Sequence, residues 1–159
     1  MKKIQMLACV VLSSFAALAN ADVSEGQARS ALQTQASVGS ARPVCLPDFL
    51  TKQEQQVNGA LARADYLTAE ARGEVLSANV AACALLAGNS WAQWADRAGR
   101  LLATAVIAAT KVPGGLASPR TTASGERAEV LLSFAALNGS PTAAEVLKIL
   151  QQSNYKKFN

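Results

Sequence analysis

The sequence predicts an all-α protein, a small bundle of four to five helices closed by one disulfide. Three observations carry this expectation. Alanine is abundant, aromatic residues make up only 5% of the chain and β-branched residues are sparse, a composition that favours helices over strands. Apolar residues recur at steps of three and four through the middle of the chain, the period of a helix face. Helix start and stop signals then divide that stretch into segments of helical length.

The first 21 residues stand apart. Met1-Lys2-Lys3 forms a short positive region, and residues 4–19 follow without a charge but with Leu7, Val10, Val11, Leu12, Phe15 and Leu18. Ala19-Asn20-Ala21 supplies a small-x-small cleavage pattern before Asp22. Order, length and charge match a secretory signal peptide cleaved after Ala21. The apolar run is shorter than the roughly 20 residues a bilayer span requires. Reading Leu7-Ala8-Cys9 as a lipoprotein site would leave almost no apolar core before the cysteine. Residues 101–110 are apolar but brief, with Arg97 and Arg100 just before them. The expectation is a periplasmic or secreted protein with no transmembrane span once the signal is removed. Without Lys2 and Lys3, 13 Lys/Arg face 11 Asp/Glu, a net charge of +2. So small an excess does not point to nucleic acid.

Residues 22–44 are polar, and Ser37-Val38-Gly39-Ser40-Ala41-Arg42-Pro43 reads as linker, so a flexible N-terminal segment is expected with a weak helix between Ser24 and Ala36. The helical domain should cover residues 45–152. Thr51-Lys52-Gln53-Glu54 is a capping box that opens a helix. Val57, Leu61, Ala64, Thr68, Ala71, Val75, Ala78 and Ala82 then share one face as far as Gly88-Asn89. Ser90-Trp91-Ala92-Gln93 offers a second capping box for a helix reaching about Thr110, stopped by Pro113-Gly114-Gly115. The longest internal loop is residues 112–122. A third helix should run from about Ala123 to Leu137. Ser140-Pro141, an N-cap followed by proline at the first helical position, opens a fourth that ends near Gln152. Residues 153–159 form a polar tail.

Cys9 leaves with the signal, so Cys45 and Cys83 remain, an even pair in an oxidising compartment, and a disulfide between them is the default reading. That bond constrains the fold. An unbroken helix from Thr51 to Cys83 would separate its ends by about 48 Å, whereas the six residues from Cys45 to Thr51 reach at most about 20 Å. An intrachain bond therefore requires an antiparallel hairpin, with the break expected within residues 66–74.

The chain has no histidine, which removes the Ser-His-Asp triad, the Cys-His dyad and His-ligated metal sites. Neither common glycine-rich phosphate loop is present. No cofactor and no metal are expected. Glu70 and Glu74, one helical turn apart, are a carboxylate pair of the kind that hydrolyses glycosides, although Arg72 between them equally suits a solvated face. Trp91 and Trp94 share a helix face and form either an aromatic platform or part of the core. Tyr155, Lys156, Lys157 and Phe158 combine basic and aromatic character that could touch a partner or anionic lipid. The helix pair around Asn138-Gly139-Ser140-Pro141 has the outline of a helix-turn-helix. With export, little net charge, and only Glu145 and Lys148 as charges on its second helix, a packed hairpin is the better reading.

Cys45-Leu46-Pro47, with Thr51 and Gln55 beyond, resembles the Tai group of periplasmic immunity proteins, which are small, helical and cysteine-bearing. The likeness spans eleven residues. In that group further cysteines precede the Cys-Leu-Pro element, and none does in the mature chain here. The resemblance implies an immunity role. The leading expectation is a non-enzymatic periplasmic protein that binds a protein partner through a helical surface, as an accessory or chaperone in an envelope or secretion assembly. The alternatives are an immunity or inhibitor protein, with residues 112–122 as a plug, and a carboxylate-dependent cell-wall hydrolase. A homo-oligomer is left open.

Overall fold

Residue Pro47, not Thr51, begins the first helix of the main domain. The computed structural model describes residues 25–37, 42–113 and 117–158; the signal-peptide reading of residues 1–21 and the centre of the 112–122 loop lie outside them. Helix α1 spans Glu25–Ser37, α2 Pro47–Ala62, α3 Tyr66–Ala87, α4 Ala92–Lys111, α5 Pro119–Leu137 and α6 Pro141–Gln152. Short 3-10 turns occupy Gly88–Trp91 and Tyr155–Phe158. The main domain is thus an all-α bundle of five helices, with α1 docked on it and no strand among the described residues.

Each boundary has a local cause. Leu46 is extended and Pro47 follows at the first helical position, where its fixed φ and missing N–H cost nothing. The Thr51-x-x-Glu54 pattern therefore lies one turn inside α2 and caps nothing. Three backbone bonds into the carbonyls of Ala60 and Leu61 close the end of α2. Ala64 then turns the chain at φ 55°, and Asp65 accepts from the Thr68 N–H to start α3. The antiparallel hairpin exists, but its break falls at residues 63–65, just before the expected window. Ser90 bonds back to the Ala87 carbonyl instead of capping α4. Ser118 caps α5 reciprocally with Thr121, four residues earlier than expected. Ser140 caps α6 as expected.

Close approach, made possible by small residues, sets the packing. α4 lies between α3 and α5. A Cβ on Gly73 of α3 would come within 3.1 Å of Leu102, and one on Gly99 of α4 within 2.9 Å of Leu132. Alanines at 95, 98, 103, 105 and 109 line the buried side of α4, and Leu50, Val57, Leu76, Val80, Leu131, Leu132 and Leu150 fill the volume between helices. The run Tyr66–Lys111 is long and apolar enough, by length and composition, to cross a membrane. In this fold it comprises α3, the Gly88–Trp91 turn and α4, with α3 packed on α1, α2, α4 and α5.

Cys45 and Cys83 are joined by a disulfide, as expected. Beside it the Asn79 side chain pairs with Val44 as a strand would: the Val44 N–H donates to Oδ1 and the Asn79 amide donates to the Val44 carbonyl, both at 2.8 Å. Residues 25–37 form α1, where a weak helix was expected between Ser24 and Ala36, and it buries Ala28 and Leu32 against α3 and α5. The polar tail is pinned: Tyr155 is 1% exposed, and its carbonyl accepts from the Thr122 hydroxyl.

Candidate functional site

Helices α2 and α4 build the most distinctive surface. Trp91 ends the 3-10 turn and Trp94 follows on the first turn of α4, their ring centroids 6.2 Å apart and tilted by 32°. Both are partly buried against the core. Arg97, three residues on, lays its guanidinium over the Trp94 ring at 4.3 Å, a cation–π arrangement. Its far side is anchored by an ion pair with Glu54 of α2. Burial raises the Glu54 carboxyl above its ordinary range, and the Arg97 charge pulls only partly in the other direction. The Arg97 side chain remains 45% exposed, so the result is a fixed aromatic–guanidinium surface open to solvent. Sequence reasoning found the tryptophans and missed Arg97, whose signal was its i, i+3 spacing from Trp94. Leu46 and Phe49, both exposed, lie at the start of α2 next to the disulfide.

A second polar cluster joins α3 to α5. Glu70 is 1% exposed. One of its oxygens accepts from Ser124 at 2.9 Å and the other from Thr121 at 3.1 Å. Glu74 accepts from Ser124 at 2.7 Å and from Arg120 at 3.2 Å. Ser124 has one hydroxyl proton and stands between two carboxylates, so it serves one at a time. Both Glu70 oxygens are committed to α5 hydroxyls, and the group lies where a sugar ring cannot reach it. The arrangement ties two helices together and gives no support to hydrolysis by the pair.

The C-terminal candidates part company. Tyr155 belongs to the core and is corrected as a contact residue. Its ring packs against Gly125, where a Cβ would lie 2.3 Å from the ring, and burial together with the Glu129 carboxylate holds its phenol far above the ordinary value. Lys156 pairs with Glu129 at 3.4 Å. Lys157 is exposed, and the Phe158 side chain lies outside the described residues. The α5–α6 pair is a packed hairpin whose Ala143 and Leu150 are buried. Among the described residues no group of three or more His, Cys, Asp or Glu could hold a metal ion. No family model, no curated protein and no solved structure matches the chain.

Proposed function

We propose that the chain is an exported, non-enzymatic helical protein that binds a protein partner, as an accessory or chaperone of an envelope or secretion assembly. The observation that supports this reading is the Trp91–Trp94–Arg97 surface. Tryptophan and arginine are the residue types that carry most binding energy at interfaces, and here they are held in place before any partner arrives, which lowers the entropy cost of association. A second reading, an immunity or inhibitor protein, draws on the exposed Leu46 and Phe49 beside the disulfide, on the element that carries the resemblance to immunity proteins.

The test is photo-crosslinking in the producing cell. A photoreactive residue replaces Gln93, exposed between the two tryptophans, or Lys148, exposed on α6. A discrete adduct from position 93, absent from position 148 and lost with Trp94→Ala, supports the reading. No adduct at 93, or equal adducts at both positions, overturns it. The identity of the captured protein separates the two readings: a component of an envelope assembly fits the first, a toxin or hydrolase the second.

A further inference from the structure

Glu54 of α2 and Arg97 of α4 meet beside the two tryptophans, and they are held unequally. The Glu54 side chain is 8% exposed. Its Oε2 accepts from Arg97, while its Oε1 is buried with no hydrogen-bond partner among the described residues. Half of the carboxylate has therefore given up water without compensation. Burial accordingly pushes the carboxyl up, with Arg97 and then Arg100 pulling only partly the other way. Arg97 has a second anchor. Its guanidinium lies over the Trp94 ring at 4.3 Å, and no hydrogen bond among the described residues engages its Nε or Nη1. The other charged groups around Glu54 have partners elsewhere or lie in solvent. α2 packs on α3 and α4. From α4, Arg100 is held by Asp96 at 3.0 Å. From α3, Arg72 donates to Gln56, and Glu70 and Glu74 are turned to α5. On α2 itself, Asp48 and Lys52 are exposed.

We propose that Glu54 is a proton-operated switch of the Trp91–Trp94–Arg97 surface: ionised, it cancels the Arg97 charge, and protonated, it frees that charge for a carboxylate of the partner protein. The inference rests on the reading of this surface as the partner-binding one. The step is the uptake of one proton from water by Glu54, with no other bond made or broken. The contact with Trp94 keeps the guanidinium in place when the ion pair is lost, so protonation changes the charge of the surface and not its shape. The N–H groups of Arg97 that carry no internal bond are then free to donate to an incoming carboxylate, a charge-assisted contact. With Glu54 ionised, the same surface offers a partner two indole rings and a compensated guanidinium. Acidic partners therefore bind more tightly as the medium acidifies, and uncharged ones do not.

Trp91 and Trp94 are the two tryptophans of the chain, so tryptophan fluorescence of the full chain, produced in an oxidising compartment, reports on this surface. Iodide, standing in for the partner's carboxylate, is compared with caesium and with neutral acrylamide as collisional quenchers from about pH 7 to about pH 4. One positive charge gained beside the rings should raise iodide quenching about twofold and lower caesium quenching to about half at roughly 0.1 M salt, with acrylamide quenching constant. The midpoint should match that of the Glu54 carboxyl carbon followed by nuclear magnetic resonance. Glu54→Gln should hold iodide quenching at its high value throughout, and Asp96→Asn should keep the step. If Glu54→Gln does not fold, the two wild-type midpoints decide. A flat iodide response, a midpoint away from that of the Glu54 carboxyl, a step that survives Glu54→Gln, or a parallel rise in acrylamide quenching would each overturn the proposal. No partner is present in this measurement, so its outcome is separate from that of crosslinking at position 93.

Discussion

Gly125→Ala should destabilise this protein, and in the absence of Tyr155 the same substitution should stabilise it. Residue 125 lies within α5, where alanine is intrinsically better than glycine by about 1 kcal/mol. The added Cβ, however, would sit 2.3 and 2.4 Å from two ring carbons of Tyr155 and 2.9 Å from a third. The ring cannot swing aside cheaply, because Tyr155 is 1% exposed and its carbonyl is held by Thr122 at 3.0 Å. Either the helix shifts or the ring is expelled. Overpacking costs about 1–3 kcal/mol, and loss of a buried aromatic side chain about 3–5 kcal/mol. After the helix-propensity gain, Gly125→Ala should cost about 2 kcal/mol in the wild-type background. With Tyr155→Ala already present, the ring no longer opposes the methyl group and the propensity gain of about 1 kcal/mol should emerge. Urea unfolding of the four proteins completes a double-mutant cycle, with an expected coupling of about 3 kcal/mol. Equal effects of Gly125→Ala in both backgrounds would refute the view that the C-terminal turn is a plug seated on α5.

Replacing Glu70 by alanine should cost about 2 kcal/mol, since it strands the buried Thr121 hydroxyl and leaves Ser124 only Glu74 as acceptor, while Glu70→Gln, which keeps an acceptor, should cost less; the difference in urea midpoint reports it. Replacing both Cys45 and Cys83 by alanine should lower stability by about 4 kcal/mol in the loop-entropy model, yet the Asn79 clamp should leave far-ultraviolet circular dichroism unchanged below the transition. Glu54 has a folded-state pKa raised above 4.5. Its contribution is therefore fully present below pH 4.5 and is lost as pH rises through the folded value. Glu54→Gln should remove that downward slope from a plot of urea midpoint against pH, and an unchanged slope would mean that Glu54 is not its source.

How much of this was legible in sequence depends on the range of each signal. The proline and serine that open α6, the disulfide and the helical class were readable because composition, turn chemistry and redox pairing are local or global properties. The Glu70/Glu74 pair was readable, but its meeting with Arg120 and Ser124 was not, because the two halves of the cluster lie about fifty residues apart and no local pattern announces which carboxylate an arginine will meet. The hairpin is an intermediate case. Chain closure demanded a reversal, but its position was computed from a helix starting at Thr51. Starting at Pro47, α2 climbs about 24 Å in its 16 residues, and the run from Tyr66 to Cys83 descends about 26 Å. The two cysteines come level with the break at residues 63–65.

That shift also explains the chief misreading. Periodicity identifies residues that share a face; it does not say whether the face looks inward, and it keeps its phase only while the helix is unbroken. The series from Val57 to Ala82 was expected to share one face of a single helix. Val57 is buried and Leu61 packs against the core. The positive φ at Ala64 then restarts the helix in a new phase. On α3 the core receives Ala69, Gly73, Leu76, Val80 and Ala84, while Val75 of the original series faces out. Since α3 now satisfies the core with a different set of residues, the outward series is not needed to hold the monomer together.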